Sequence, residues 1–313
     1  MHQIKGYIVF LLLPFLLLNC KKDKTAKTSY KTENVVVIVV DGPRYSETWG
    51  APNQELIPHM KNDMAPEGVV FTNFRNNGPT YTTAGHTAIL TGFYQDLNNG
   101  GEEMPERPNY LQYWLKDNEA DSTKAWFIAS KDKIEPLANC KDSLWADQYI
   151  PRTDCGKTGL GSGYRADSLT VDHVLDSMER YHPNLVFINF RQPDVLGHTA
   201  VWEDYIAAIE QVDRHYFTIW QYLKNSSHYQ NTTTLFVTND HGRHLDEVGS
   251  FAGHGDGCEG CRHINLFAAG PDFGSNQINS NPYEQIDIPT TISKLLGFEM
   301  PTSEGRIIQD LFH

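Results

Sequence analysis

The chain has 313 residues, room for one large domain or two small ones at about 150 residues each. Hydrophobic residues make up 40% and charged residues 21%, a globular composition that excludes disordered and fibrous classes. Lys plus Arg number 26 against 39 Asp plus Glu, a net charge of −13; this excludes a binder that grips nucleic acid through a basic face, and none is expected as a partner.

The first segment reads as an export signal. Lys5 supplies a positive n-region, and Tyr7 to Leu18 is apolar apart from Pro14. That run is shorter than the ~20 residues a membrane-spanning helix takes, so residues 1–19 are expected to be a signal peptide. Leu17-Leu18-Asn19-Cys20, followed by Lys21-Lys22-Asp23-Lys24, resembles a bacterial lipoprotein signal. The resemblance implies lipidation of Cys20 and a membrane-anchored protein of the periplasm or cell surface. Residues 20–33, rich in Lys, Thr and Ser, read as a flexible tether.

Without Cys20 four cysteines remain. An even count in an exported chain favours two disulfides, with Cys140–Cys155 and Cys258–Cys261 the local pairings. The alternative is a structural zinc on all four thiolates, or on Cys258, Cys261 and His263.

Asn34 to Val40 is a β-branched run ending in Asp41-Gly42 and reads as a buried parallel strand. Val69 to Phe74 is a short strand, Thr83 to Thr91 a helix stopped by Gly92, and Asn109 to Lys116 a helix with an aromatic face. Ala125 to Ala129 reads as a strand, Ala166 to Arg180 as a helix, and Leu185 to Phe190 as a buried strand. Trp202 to Leu223 is a long amphipathic helix, Thr233 to Thr238 and Ile264 to Ala269 are strands, and Ile288 to Leu296 is a helix closing at Gly297. Strands alternating with helices predict an α/β fold with a mostly parallel sheet. Asn99 to Gly163, rich in Gly, Pro and charge, is expected to form loops or a small cap at one sheet edge.

In open α/β sheets, sites form past the carboxyl ends of strands. Three such ends here carry metal-ligand residue types: Asp41; Asp194 with His198; and Asp240 with His241. His254 lies in a further Gly-His-Gly segment. Any one Asp after a strand is more often a helix cap or turn residue, and a lone His is usually structural; the set together is hard to explain that way. Asp and His suit zinc. Gly78 to Thr87 places hydroxyls at the start of a helix, whose free N–H groups suit a phosphate or sulfate.

Asp41-Gly42, Pro79-Thr80-Tyr81-Thr82-Thr83-Ala84-Gly85-His86, Pro193-Asp194 to His198, Asp240-His241-Gly242 and His254-Gly255 together resemble the alkaline phosphatase superfamily. The nucleotide pyrophosphatase and type I phosphodiesterase branch is the nearest in pattern, from about Val35 to Leu311. The resemblance implies a three-layer α/β/α sandwich over residues 34–313 and two divalent ions, of which zinc is expected. Asp41, Asp240 and His241 would hold one ion together with Thr82, the implied nucleophile, and Asp194, His198 and His254 the other. Thr82 lies four residues before His86, with Ala84 where the family has Pro; Thr80 and Thr83 are alternative nucleophiles, and His244 reads as a surface residue. A small phosphorylated substrate, mono- or diester, would be cleaved through a covalent phospho-threonine.

A sulfatase-like site would need a Cys or Ser precursor nucleophile, which this segment lacks. Phosphoglycerate mutases of the superfamily carry a large inserted domain for which the chain has no length, and a surface lipoprotein binding a phosphorylated or glycan ligand would be a non-catalytic alternative. Arg44, Lys131, Lys133 and Arg191 are candidates for gripping the free oxygens of a monoester, and Asn98 and Asn99 for the diesterase position.

Overall fold

A computed structural model describes His2 and residues 29–313. Apart from His2, the expected signal peptide lies outside the described residues, as do Cys20 and the tether to residue 28. The ordered body starts before Asn34: the backbone amides of Lys31 and Thr32 donate to the Asp272 carboxylate at 2.9 and 2.8 Å. Among the described residues no helix is long and apolar enough to cross a membrane.

Among the described residues nine strands form one sheet. In chain order they are β1 (Asn34–Asp41), β2 (Val69–Arg75), β3 (Ala125–Ala129), β4 (Arg152–Cys155), β5 (Leu185–Pro193), β6 (Thr233–Asn239), β7 (His263–Ala269), β8 (Gln277–Asn279) and β9 (Tyr283–Glu284). The spatial order is β4-β3-β5-β1-β6-β7-β2-β8, with β9 also paired to β2. β4, β3, β5, β1 and β6 run parallel, and β7 is antiparallel to both its neighbours. The expected α/β class and mostly parallel sheet are observed.

Alternation along β1 explains the layers. Val35, Val37 and Val39 face one apolar cluster, with Ile89, Leu111 and Ile292 from α1 (Thr82–Thr91), α2 (Tyr110–Asp117) and α7 (Asp287–Leu296). Val36, Ile38 and Val40 face a second cluster, with Val174 and Ile209 from α3 (Asp167–Tyr181) and α5 (Trp202–Asn225). Each such side chain buried on folding contributes about 1.5–3 kcal/mol. A strand covered on both faces needs no polar alternation, which is why it reads as an unbroken apolar run.

The helices start within one residue of expectation. Asn109 is the N-cap of α2, its side chain accepting from Gln112 N–H at 2.9 Å while Gln112 caps it in return. Two one-turn helices were not foreseen: α4 (Asp194–Gly197) and α6 (Glu259–Arg262). Segment 99–163 contributes α2, β3 and the sheet-edge strand β4 as well as loops.

The expected disulfides are not formed; all four described cysteines are free. Cys140 and Cys155 are both buried, and the Cys155 thiol faces the Phe127 carbonyl at 3.7 Å. Cys258 is the N-cap of the single turn α6 and Cys261 lies within it, their sulfurs 3.3 Å apart. His263 is not beside them: its ring stacks on Tyr45 at 3.8 Å and its Nε2 donates to the Thr72 carbonyl at 2.8 Å.

Candidate active site

β1, β5 and β6 end on the same edge of the sheet, and they deliver Asp41, Asp194 and Asp240-His241 to one place. All four are buried. α1 begins at Thr82, whose hydroxyl is linked to the cluster through the Lys131 ammonium at 3.2 Å.

The carboxylates and imidazoles converge. One ligand atom from each of Asp41, Asp240 and His241 lies within 4.8 Å of the other two, and the same holds for Asp194, His241 and His254. His241 Nε2 is 3.5 Å from both Asp41 Oδ1 and Asp240 Oδ2. His198 joins the second group, its Nε2 3.2 Å from Asp194 Oδ1 and 3.1 Å from His254 Nε2. All six predicted ligands are therefore together, with His241 standing between the groups and His198 the exposed member.

Orphaned atoms mark the centre. Asp41 Oδ1, Asp240 Oδ2 and His241 Nε2 are buried with no hydrogen-bond partner, a costly arrangement unless a cation meets them. His241 Nδ1 and His254 Nδ1 lie 2.8 and 3.0 Å from the carbonyls of Gly242 and Thr80. A carbonyl only accepts, so both Nδ1 atoms carry the proton and both Nε2 lone pairs point into the cluster. The donor set fits divalent metal, with nitrogen and oxygen ligands of the kind zinc takes.

The charges are arranged accordingly. Burial pushes the Asp240 carboxyl up, but His241 and His86 beside it bring it down to about 2. Burial likewise opposes ionisation of Asp194, but Lys131 and the imidazoles of His198 and His254 hold it well below the carboxylate range. Burial alone would lower His241, and the carboxylates of Asp240, Asp41 and Asp194 raise it. His254 is lowered, by burial and by His241.

Lys131 emerges as a site residue. It follows β3, is buried, and places Nζ 2.7 Å from Asp41 Oδ2, 2.7 Å from Asp194 Oδ2 and 3.2 Å from Thr82 Oγ1. Burial disfavours the ammonium, but Asp194, Asp41 and Asp240 more than offset this and raise its pKa. Lys133 donates to Asn99 Oδ1 at 3.1 Å, and Asn99 Oδ1 accepts from Thr83 N–H at 3.2 Å. Asn99 thus caps the start of α1, where Tyr81 provides no side-chain cap. Asn98 contributes only its carbonyl to Thr83 Oγ1, at 3.3 Å.

The other candidates are otherwise engaged. Thr83 Oγ1 is held by Asn98 and Asn99, and Thr80 Oγ1 accepts from Gly257 N–H at 3.1 Å, which leaves Thr82 as the hydroxyl facing the cluster. Arg44 pairs with Asp246 at 2.9 Å. Arg191 uses its backbone N–H on Asp167 at 2.9 Å, and its Nε is buried without a hydrogen-bond partner.

Sequence reasoning missed Arg243. Its side chain is buried; it ion-pairs with Asp194 Oδ1, donates to the carbonyls of Phe251 and Ala252 at 2.5 and 2.6 Å, and faces His198 Nδ1 at 3.3 Å. Its position two residues past His241 was the available signal. Asn189 was missed as well. It is a polar residue inside the apolar run of β5, and its amide meets His86 Nε2 at 2.9 Å.

Comparison with known proteins agrees with this architecture. Curated relatives include 2,3-bisphosphoglycerate-independent phosphoglycerate mutases. That of Halobacterium salinarum is 27% identical over 132 residues, covering 42% of this chain and 25% of the relative. The similarity thus spans about a quarter of the length of the curated relatives. Among solved structures, murine ectonucleotide pyrophosphatase/phosphodiesterase 5 superposes with TM-score 0.64 at 17% identity, covering 90% of this chain and 100% of that one. A phosphonate monoester hydrolase from Silicibacter pomeroyi gives 0.63 at 15%, covering 89% and 76%. An alkaline phosphatase superfamily protein from Vibrio parahaemolyticus gives 0.64 at 14%, covering 93% and 74%. At such identities the likeness is one of fold. The family model for type I phosphodiesterase/nucleotide pyrophosphatase matches residues 35–244, from Val35 in β1 through His244, and the chain belongs to that family.

Proposed function

We propose that the protein hydrolyses phosphate monoesters through Thr82, with two divalent metal ions, zinc by preference. The observation that carries this reading is the Thr82 hydroxyl on the first turn of α1, tied by the Lys131 ammonium to two of the buried carboxylates. Asp41, Asp240 and His241 would hold one ion and Asp194, His198 and His254 the other, supplying Lewis-acid charge at the attacking and leaving oxygens.

The chain's own residues do the rest. Thr82 Oγ attacks phosphorus, the ester oxygen leaves as the alcohol, and water then releases phosphate from phospho-threonine. Lys131 stabilises the ionised Thr82 oxygen. Lys133, which lies beside Asn99 at the start of α1, would grip a free oxygen that a monoester has and a diester lacks. Arg243 orients Asp194 and His198 from behind. The N-terminal pattern supports export and lipidation at Cys20.

The test compares an aryl phosphate monoester with the matching diester on zinc-loaded protein, with Thr82→Ala as the blank. The monoester should turn over faster, and Lys131→Met should lower its kcat about 10²–10³-fold, as loss of one charge-stabilising donor does. A faster diester, or turnover surviving in Thr82→Ala, would overturn the reading. Palmitate labelling of the wild type and not of Cys20→Ser tests the anchor.

A further inference from the structure

We infer a third metal site, distinct in chemistry from the active site, formed by His244, Asp256, Cys258 and Cys261. One ligand atom from each lies within 4.8 Å of the other three. The Cys258 and Cys261 sulfurs are 3.3 Å apart, Cys261 Sγ is 3.6 Å from Asp256 Oδ1, and His244 Nε2 is 3.3 Å from that same oxygen. Tetrahedral zinc with Zn–S bonds of about 2.3 Å places two thiolates about 3.8 Å apart, so small movements of these side chains would complete the shell.

The surroundings prepare the ligands. His244 Nε2 is buried without a hydrogen-bond partner although it faces a carboxylate. Its ring is wrapped by two glycines: a Cβ at Gly253 would lie 2.7 Å from His244 Nδ1, and one at Gly249 3.0 Å. Asp256 Oδ1 is fixed by Cys258 N–H at 3.0 Å. Asp256 and Cys258 reach the surface, which gives an ion a way in.

The thiolates set the ligand class: a borderline or soft divalent ion such as Zn²⁺, not Mg²⁺ or Ca²⁺. Its purpose follows from the connections. Gly242 N–H donates to the Cys261 carbonyl at 2.8 Å, and Asp256 follows His254 by two residues. An ion here ties the α6 turn to the segments carrying His241 and His254, and so positions those two imidazoles without touching substrate.

Cobalt substitution of the full chain separates the two kinds of site, because only thiolate ligands give a near-ultraviolet sulfur-to-cobalt charge-transfer band. The wild type should show the band, and Cys258→Ser and Cys261→Ser should lose it together with one metal equivalent per chain. Cys140→Ser and Thr82→Ala should keep it whether or not the ester chemistry holds. His244→Ala, which leaves both thiols in place, should weaken this ion by at least about tenfold, as loss even of a supporting partner does. Two outcomes would overturn the inference: no band in wild type with both thiols free, or a Cys258–Cys261 disulfide in the purified protein by peptide mapping.

Discussion

Gly85→Ala should cripple turnover while leaving the protein folded. Gly85 lies in the first turn of α1, against the strand end that carries Asp240. A Cβ there would sit 2.4 Å from the Asp240 carbonyl oxygen and 2.9 Å from its carbonyl carbon, where ordinary contact begins at 3.4 Å. About 1 Å of displacement is therefore required. The carbonyl cannot supply it, being pinned by the amides of Asn76 at 2.8 Å and Gln285 at 2.5 Å. The helix must move, and Thr82 moves with it. A nucleophile misplaced by about 1 Å costs about 10²-fold. Overpacking costs about 1–3 kcal/mol, of which alanine's better helix propensity returns about 1 kcal/mol. The assay is kcat/KM on an aryl phosphate alongside metal content and Tm. Unchanged kcat/KM in a fully metallated variant would refute the claim that this contact sets the position of Thr82.

Arg243→Met should destabilise by about 3–5 kcal/mol in urea unfolding, because it strips a buried partner from Asp194 and two carbonyls; unchanged stability would mean that Lys131 alone balances Asp194. Dialysis against a chelator should abolish hydrolysis, and Zn²⁺ should restore it, read as initial rate. Burial acts to raise the Asp154 carboxyl, but Arg165 at 2.5 Å and His173 at 2.7 Å hold it below the usual range. A depressed carboxyl stabilises the fold above its unfolded pKa of about 4, and that contribution fades as pH falls through the folded value. The Tm gap between wild type and Asp154→Asn should accordingly be full at neutral pH and close on acidification; a gap independent of pH would refute it.

The apolar strands, the helix stops at Gly92 and Gly297, and the Asp and His residues at strand ends were legible because each is a local signal: an unbroken β-branched run, a left-handed C-cap, a polar residue where a run stops. Lys131 and Arg243 were less legible, since a cation in a sequence looks solvated until the fold puts three carboxylates around it. The cysteines misled for a related reason. Spacing suggested pairing Cys140 with Cys155, whereas Cys155 ends β4 with its thiol on Phe127. His244, read as surface, is turned toward Asp256 by the glycines around it. Which of two histidines faces a thiol pair depends on tertiary geometry that no local pattern encodes.

The reversed direction of β7 has a consequence for how such a site can diversify. Because β7 runs antiparallel to β6, the chain leaves the sheet after Asn239 and re-enters at His263 on the same edge. The intervening segment is anchored at both ends beside the reacting groups. Lengthening it changes no strand register, and each doubling of a flexible loop costs only about 0.6 kcal/mol in closure entropy. Insertions there would reshape the rim beside the Asp41, Asp194, Asp240 and His241 cluster while the strand ends stay where they are, so what the site admits could change without the scaffold having to be rebuilt.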